Sequence, residues 1–301
     1  MKGIARRLLG DPRREAERAL SAIGALHARH VRGAHFDDPR EAEFRVFSQF
    51  GEDGILQYLI AQVPIENEVF VEFGVQDYRE SNTRFLVEHD NWRGLIMDAG
   101  SEHIGFLASD PFGWRHDVLG IEAFITRDNI NQLIAGAGIG GDIGLLSVDL
   151  DGNDYWVLDA IDVVSPRIMV CEYNSIFGPT EAVTVPYDAA FERGRAHYSH
   201  LYWGASIAAL HEVAVRKGFT LVAGNSAGNN VFFVRSDVAG ELRSQSPEQA
   251  WAASRYRDSR DEEGHLSFVA SHRDRLRLIA DMPLVDVRSG EQRTVREAVA
   301  L

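Results

Sequence analysis

Apolar residues recur in two rhythms along this chain of 301 residues. Between Phe47 and about Arg235, short unbroken apolar runs alternate with stretches whose apolar positions return every three or four residues. Unbroken runs bounded by polar groups read as strands buried on both faces, and the longer period reads as amphipathic helix. The pattern predicts strands at 69–73, 94–98, 122–125, 143–149, 168–172, 220–222 and 230–235. Helices are predicted between most of them, at 82–88, 101–108, 128–135, 154–161 and 204–216, with Asp128 suited to cap the third. Strands alternating with helices imply a Rossmann-like α/β fold, an open and mostly parallel sheet with helices on both faces. Residues 223–229 are too few for a crossover helix, so the last two strands should form an antiparallel hairpin at the sheet edge.

Three stretches depart from this rhythm. Residues 1–45 read as a helical arm, in which Ala16, Leu20, Ile23 and Leu26 form one stripe that packs on the body or on a second subunit of a homo-oligomer. Residues 237–301 read as a helical extension with a charged stretch at 255–265, a lid or an oligomer contact. The link 174–203 has no period but many aromatic and basic groups, which favours an ordered, substrate-facing loop over a floppy one. The central part, 46–236, suits one large domain.

Composition narrows the partners. Lys plus Arg number 31 against 45 Asp plus Glu, a net charge of −14, which argues against nucleic acid or an anionic membrane as the main partner. Cys171 is the single cysteine, so no disulfide forms within the chain and a reducing, cytoplasmic location is expected, with the thiol buried in a strand. The basic start (Lys2, Arg6, Arg7, Arg13, Arg14) is broken by Pro12 and lacks the apolar core of a secretory signal. No apolar window approaches the length of a membrane span.

The chemistry concentrates in two segments, Leu146-Ser-Val-Asp-Leu-Asp-Gly-Asn-Asp154 and Val170-Cys-Glu-Tyr-Asn174. Ligands bind at the carboxyl ends of strands in parallel sheets, so Asp149, Asp151, Asp154, Glu172 and Asn174 should meet on one rim. Carboxylates so crowded repel one another unless a cation or a proton-transfer role accounts for them. Three readings stay open. Asp151 or Asn153 caps a helix while others pair with arginines; Asp151, Glu172 and Asn174 bind Mg²⁺ through oxygen; or Asp149, Asp154 or a loop histidine (His197, His200) acts as a metal-free base. In the first strand, Val69-Phe-Val-Glu-Phe-Gly74, a glycine lets the backbone pass close to a ligand. The three-glycine dinucleotide fingerprint does not follow it, no phosphate-binding P-loop exists, and Gly136-Ala-Gly-Ile-Gly140 precedes a strand and reads as a loop. Asp98, at the end of the second strand, suits a ribose diol.

Val71-Glu-Phe-Gly74, Ser81-Asn-Thr83, Asp98 and Ser147-Val-Asp-Leu-Asp-Gly152, in this order, resemble the class I S-adenosylmethionine-dependent methyltransferases and within them the FkbM-like group. The resemblance covers about two thirds of the chain and implies an open seven-stranded sheet whose last strand is antiparallel. It further implies that Glu72 and Gly74 lie by the methionine part of S-adenosyl-L-methionine, with Ser81, Asn82 and Asp149 beside the cofactor. Asp98 then takes the ribose and Asp117 or Phe124 flanks the adenine. Gln49, in Phe47-Ser-Gln-Phe-Gly-Glu-Asp-Gly54, either closes over the cofactor's carboxylate or belongs to a helix start capped by Asp53. The rim is also similar to metal-dependent sugar and catechol O-methyltransferases, in which the residue at the position of Asp154 is the base. O-methylation of a sugar or polyol hydroxyl, on a small molecule or an oligosaccharide, is the function so implied. Tyr187, Tyr198, Tyr202 and Trp203 would stack on the acceptor and Arg193 and Arg195 bond its hydroxyls, with His197 as a second candidate base. An NAD-linked oxidoreductase and a non-catalytic scaffold are the alternatives from other classes.

Overall fold

Seven strands form one sheet in the order β3-β2-β1-β4-β5-β8-β7. They are β1 (Val69–Phe73), β2 (Arg93–Asp98), β3 (Val118–Glu122), β4 (Gly141–Val148), β5 (Val164–Glu172), β7 (Phe219–Gly224) and β8 (Asn230–Arg235). The computed structural model describes residues 12–100, 104, 105, 107, 111–255 and 257–299. Strands β1 to β5 pair in parallel, whereas β8 runs antiparallel between β5 and β7. The hairpin is therefore at the edge, as expected, with its second strand inserted inside its first.

Burial on both faces explains the unbroken apolar runs. Val71, Phe73, Leu95, Met97, Leu146, Val148, Met169 and Phe233 face one hydrophobic cluster, with helices α5 (Ile130–Gly136), α6 (Asp154–Ala160) and α8 (Ile207–Arg216) packed over it. Phe70, Ile96, Leu145, Ile168, Val170 and Phe232 point to the opposite cluster, under α2 (Glu52–Gln62) and α3 (Arg84–Asp90). Cys171 is buried in the first cluster, and burial raises its thiol well above the ordinary range.

Several boundaries differ from expectation for local reasons. Strand β3 lies at 118–122, not 122–125, because Gly94 and Val118 set the register with β2. Helix α3 starts at Arg84 because the Glu72 carboxylate takes the N–H groups of Asn82 and Thr83. Helix α5 is preceded by Asn129, not capped by Asp128; the Asn129 amide oxygen instead accepts from the Thr126 N–H. Helix α8 begins at Ile207, where the Ser206 hydroxyl accepts from the Ala209 N–H at 3.1 Å. The helix expected at 101–108 lies largely outside the described residues, as do Lys2, Arg6 and Arg7.

Residues 237–299 are not a helical tail. Among the described residues they hold two strands, β9 (Pro283–Asp286) and β10 (Gln292–Thr294), and the short helices α9 (Pro247–Ala250), α10 (His272–Leu278) and α11 (Val295–Ala298). Strand β9 pairs antiparallel with β10 and with β6 (Val183–Thr184). The resulting three-stranded sheet shares a small core of Phe177, Val183, Leu201, Tyr202, Ile279, Leu284 and Val295. The aperiodic link 174–203 is thereby ordered by strand pairing that no local pattern announces. At the other end, α1 (Pro12–Arg32) packs its last turns on the body through Ala28 and Val31.

Gly74 fixes the path out of β1. Its φ is +76°, and a Cβ there would lie 1.8 Å from the Asp149 carbonyl oxygen. Gly74→Ala must push apart the tips of β1 and β4, and we expect a loss of at least about 2 kcal/mol. A thermal midpoint unchanged within a degree would refute that close approach.

Candidate active site

The carboxyl ends of β1, β4 and β5 open into one two-lobed cleft. The larger lobe encloses about 740 Å³, its open mouth included, and is lined by Asp149, Asp151, Glu172, Tyr173, Arg193 and Trp203, among others. The smaller, about 550 Å³, lies over the tip of β1 and is lined by Glu72, Gly74, Ser81, Asn82 and Asn230. Gln49, Gln76 and Asp149 border both lobes.

The floor of the larger lobe is a pair of acids. Strands β4 and β5 run side by side with Val148 opposite Cys171, so the next residues, Asp149 and Glu172, sit together. Burial first, and then the charges of Asp151 and Asp154, raises both well above the carboxylate range, and Asp149 adds to the shift of Glu172. The Glu172 Oε2 atom is buried without a hydrogen-bond partner.

Other acids on the rim are spent on the fold. Asp154 is fully buried; its Oδ1 accepts from the Leu150 N–H at 2.7 Å and its Oδ2 from the Gly152 N–H at 3.0 Å. It closes the turn after β4 and does not line the cleft, which corrects its expected role as base. Asn174 is likewise consumed. Its side chain donates to the carbonyls of Leu201 and Trp203, both at 3.0 Å, and accepts from the Ile176 N–H. Asp151, held at φ +53°, pairs with Arg193 at 2.8 Å. The expected Mg²⁺ ligands thus do not fit a cation: one is an amide with every hydrogen-bonding atom engaged, and one already faces a guanidinium. Among the described residues no three His, Cys, Asp or Glu side chains converge on a common point.

Around the smaller lobe, Glu72 organises the Ser81–Thr83 turn. Its carboxylate accepts from the Ser81 hydroxyl at 3.0 Å, the Asn82 N–H at 2.8 Å, and the Thr83 N–H and hydroxyl. Asn82 then donates to the Ser147 hydroxyl on β4 at 3.0 Å. Asp98, at the tip of β2, accepts from the Gln76 and Gly100 N–H groups at 2.8 and 2.9 Å. Gln76 has φ +45°, so two side-chain-bearing residues in left-handed backbone, Gln76 and Asp151, border the cleft. Such strain concentrates at functional sites.

Gln49 is brought over the junction by a turn that two acids lock. Asp53 is not the helix cap, since Gly51 precedes α2; its Oδ2 accepts from the Val46, Phe47 and Ser48 N–H groups. Buried Glu52 accepts from the Asn225 and Asn230 side chains at 2.6 and 3.0 Å, tying that turn to the β7–β8 hairpin. Asn229 and Asn230, at the end of that hairpin, thereby reach the cleft.

The remaining expectations divide. Arg193 and Trp203 line the larger lobe, the guanidinium lying 4.9 Å from the indole centroid. Tyr187 does not; its hydroxyl bonds Asp128 and its ring stacks under Arg127. Tyr198 stacks on His197, whose Nδ1 is held by Ser199 at 2.8 Å, and neither borders the cleft. Tyr202 is a core residue. Asp117 precedes β3 at the opposite end of the sheet from the rim, so it cannot flank a ligand there, whereas Phe124 follows the β3 tip and is exposed. Tyr173, Ser254, Asp258 and Arg275 were missed. The last three come from the C-terminal part, and only tertiary packing brings them to the rim.

No family model and no curated protein matches this chain. Solved structures of similar chain path include methyltransferases. A putative O-methyltransferase from Klebsiella pneumoniae is 14% identical, covering 77% of this chain and 93% of that one, at a TM-score of 0.38. The CurJ carbon methyltransferase is 11% identical over 62% of this chain and 52% of its own, at 0.39. A methyltransferase from Clostridium acetobutylicum is 11% identical over 40% and 50%, at 0.27. The chain therefore spans about half the length of the latter two. Nothing about activity follows from likenesses this slight.

Burial raises Asp154 from 3.8 to about 6. Its contribution to stability is thus full below pH 4 and lost as pH rises through 6, about 3 kcal/mol at most. The stability difference between the parent and Asp154→Asn should shrink from pH 4 to pH 7 in urea titrations. A difference constant over that range would overturn the assignment.

Proposed function

We propose that this chain is an S-adenosylmethionine-dependent O-methyltransferase acting on a hydroxyl of a sugar or polyol-like acceptor, with proton removal by the Asp149–Glu172 pair. The observation that carries the reading is the continuity of the lobe over Gly74 with the lobe floored by these two acids. Their shared residue, Asp149, borders both. The cleft suits the cofactor on the chemistry of its donors: a sulfonium is a cation, and the junction is acidic. Gln49, Glu72, Gly74, Ser81, Asn82 and Asp98 would hold the cofactor, which when bound supplies an electrophilic methyl group.

The protein's own part is placement and proton removal. Arg193, whose guanidinium lies over the buried Trp203 ring, would donate to acceptor hydroxyls. The Glu172 carboxyl, which lines the larger lobe, would accept from the acceptor hydroxyl and, once deprotonated, take its proton. No metal is required, because the base is the acid pair itself.

Calorimetry with S-adenosylhomocysteine tests the cofactor reading, and neither heat nor a thermal shift at millimolar ligand would end it. Transfer of labelled methyl to a panel of sugars and polyols tests the reaction. Glu172→Gln should lower kcat by about 10²–10⁴ while leaving S-adenosylhomocysteine affinity within a few-fold. Because burial holds the Glu172 proton well above the ordinary carboxylate range, the base form appears only as pH rises, so the parent's rate should climb toward alkaline pH and that rise should vanish in the variant. Full activity should persist in EDTA; abolition restored by Mg²⁺ would reverse the metal-free assignment.

A further inference from the structure

Three asparagines of the β7–β8 hairpin have their amide directions dictated by one buried acid. Asn225 Oδ1 accepts from the backbone N–H groups of Gly228, Asn229 and Asn230 at 3.0, 3.1 and 3.1 Å. Backbone N–H groups only donate, so the Asn225 NH2 must face the other way. It donates to Glu52 Oε1 at 2.6 Å and to Asn229 Oδ1 at 2.7 Å. Asn230 turns its NH2 to the same Glu52 oxygen at 3.0 Å, and Glu52 Oε2 takes the Phe50 N–H at 2.8 Å. All four side chains are buried, Glu52 and Asn225 completely, so the network fixes one arrangement.

Each commitment leaves one amide atom over. Asn229 borders the larger lobe; its oxygen is taken by Asn225, and its NH2 is left, 3.5 Å from Gln49 Oε1. Asn230 borders the smaller lobe; its NH2 is taken by Glu52, and its oxygen is left, bonded by none of the described residues. Side by side, a donor and an acceptor complement the two charges of an α-amino-acid end, a carboxylate that accepts and an ammonium that donates. Glu72, Glu80 and Asp149 also line the smaller lobe, and no described Arg, Lys or His does, which suits the ammonium there. We infer that Glu52 is a positioning residue for the amino-acid end of the cofactor, directing the Asn229 N–H to its carboxylate and the Asn230 carbonyl to its ammonium. Glu52 itself lines neither lobe. The inference rests on the cofactor reading above.

The hairpin has a second tie to the same turn, because the Glu43 carboxylate accepts from the Ser226 N–H and hydroxyl, both at 2.6 Å. Glu52→Leu should therefore keep the fold while releasing the asparagine amides. Calorimetry of the full chain compares S-adenosylhomocysteine with 5′-methylthioadenosine, which keeps the nucleoside and thioether and lacks the amino-acid end. Glu52→Leu should weaken the first about 10–100-fold and leave the second within about twofold. Glu52→Gln, whose carbonyl can still accept from Asn225 and Asn230, should lose less than Glu52→Leu. Asn229→Asp, which is isosteric and still accepts from Asn225, replaces the presented donor by an acceptor and should give the same split between the probes; it carries the test if Glu52→Leu does not fold. Equal weakening of both probes, or of neither, overturns the inference and leaves the cofactor reading standing. A parent that binds 5′-methylthioadenosine as tightly as S-adenosylhomocysteine also overturns it. A parent that binds neither probe removes the cofactor reading, and the inference with it.

Discussion

Two acid side chains pressed together at the tips of adjacent strands govern the rim of this protein. Strands β4 and β5 are parallel and in register, so Asp149, just past β4, and Glu172, the last residue of β5, cannot avoid each other. Burial and the charges of Asp151 and Asp154 raise both well above the carboxylate range. Acids that keep their protons so far up make the floor of the cleft a site for hydrogen bonds and proton exchange rather than for binding a hard cation. The Arg193–Asp151 pair beside it removes a further negative charge from the rim.

The same residue type does different work a few ångströms away, and the count of N–H partners decides which. Asp53, Glu72 and Asp154 are all buried, and each carboxylate is surrounded by the N–H groups of a turn. Such carboxylates substitute for the missing backbone partners of irregular chain and fix its path. Asp53 holds the turn that carries Gln49, Glu72 holds Ser81–Thr83, and Asp154 holds residues 150–152. The turns around the cleft are therefore fixed by buried acids, of which only Glu72 also borders a lobe.

Much of this was legible in the sequence. Unbroken apolar runs located β1, β2, β4, β5, β7 and β8, because strands covered on both faces cannot include polar positions. The order of strands and the short 223–229 link fixed the fold class and the terminal hairpin. An acid at each strand end was enough to place Asp98, Asp149 and Glu172 on one rim, since chain direction in a parallel sheet puts every carboxyl end on the same side. Gly74 was legible as a close approach, though the atom it approaches is the Asp149 carbonyl of β4.

Only the tertiary structure decided which rim acids remain available. Asp154 and Asn174 look no different from Asp149 and Glu172 as letters, and turns closing on the first two use up their hydrogen bonds. Strand β3 was misplaced because an edge strand tolerates exposure, Leu119 included, and so loses the buried pattern. The second sheet, and with it the arrival of Ser254, Asp258 and Arg275 at the cleft, depends on pairing between residues about a hundred positions apart. Local periodicity carries no information about contacts at that separation. The chain alone determined where strands end and which chemical groups they present; long-range packing determined which of those groups still face solvent.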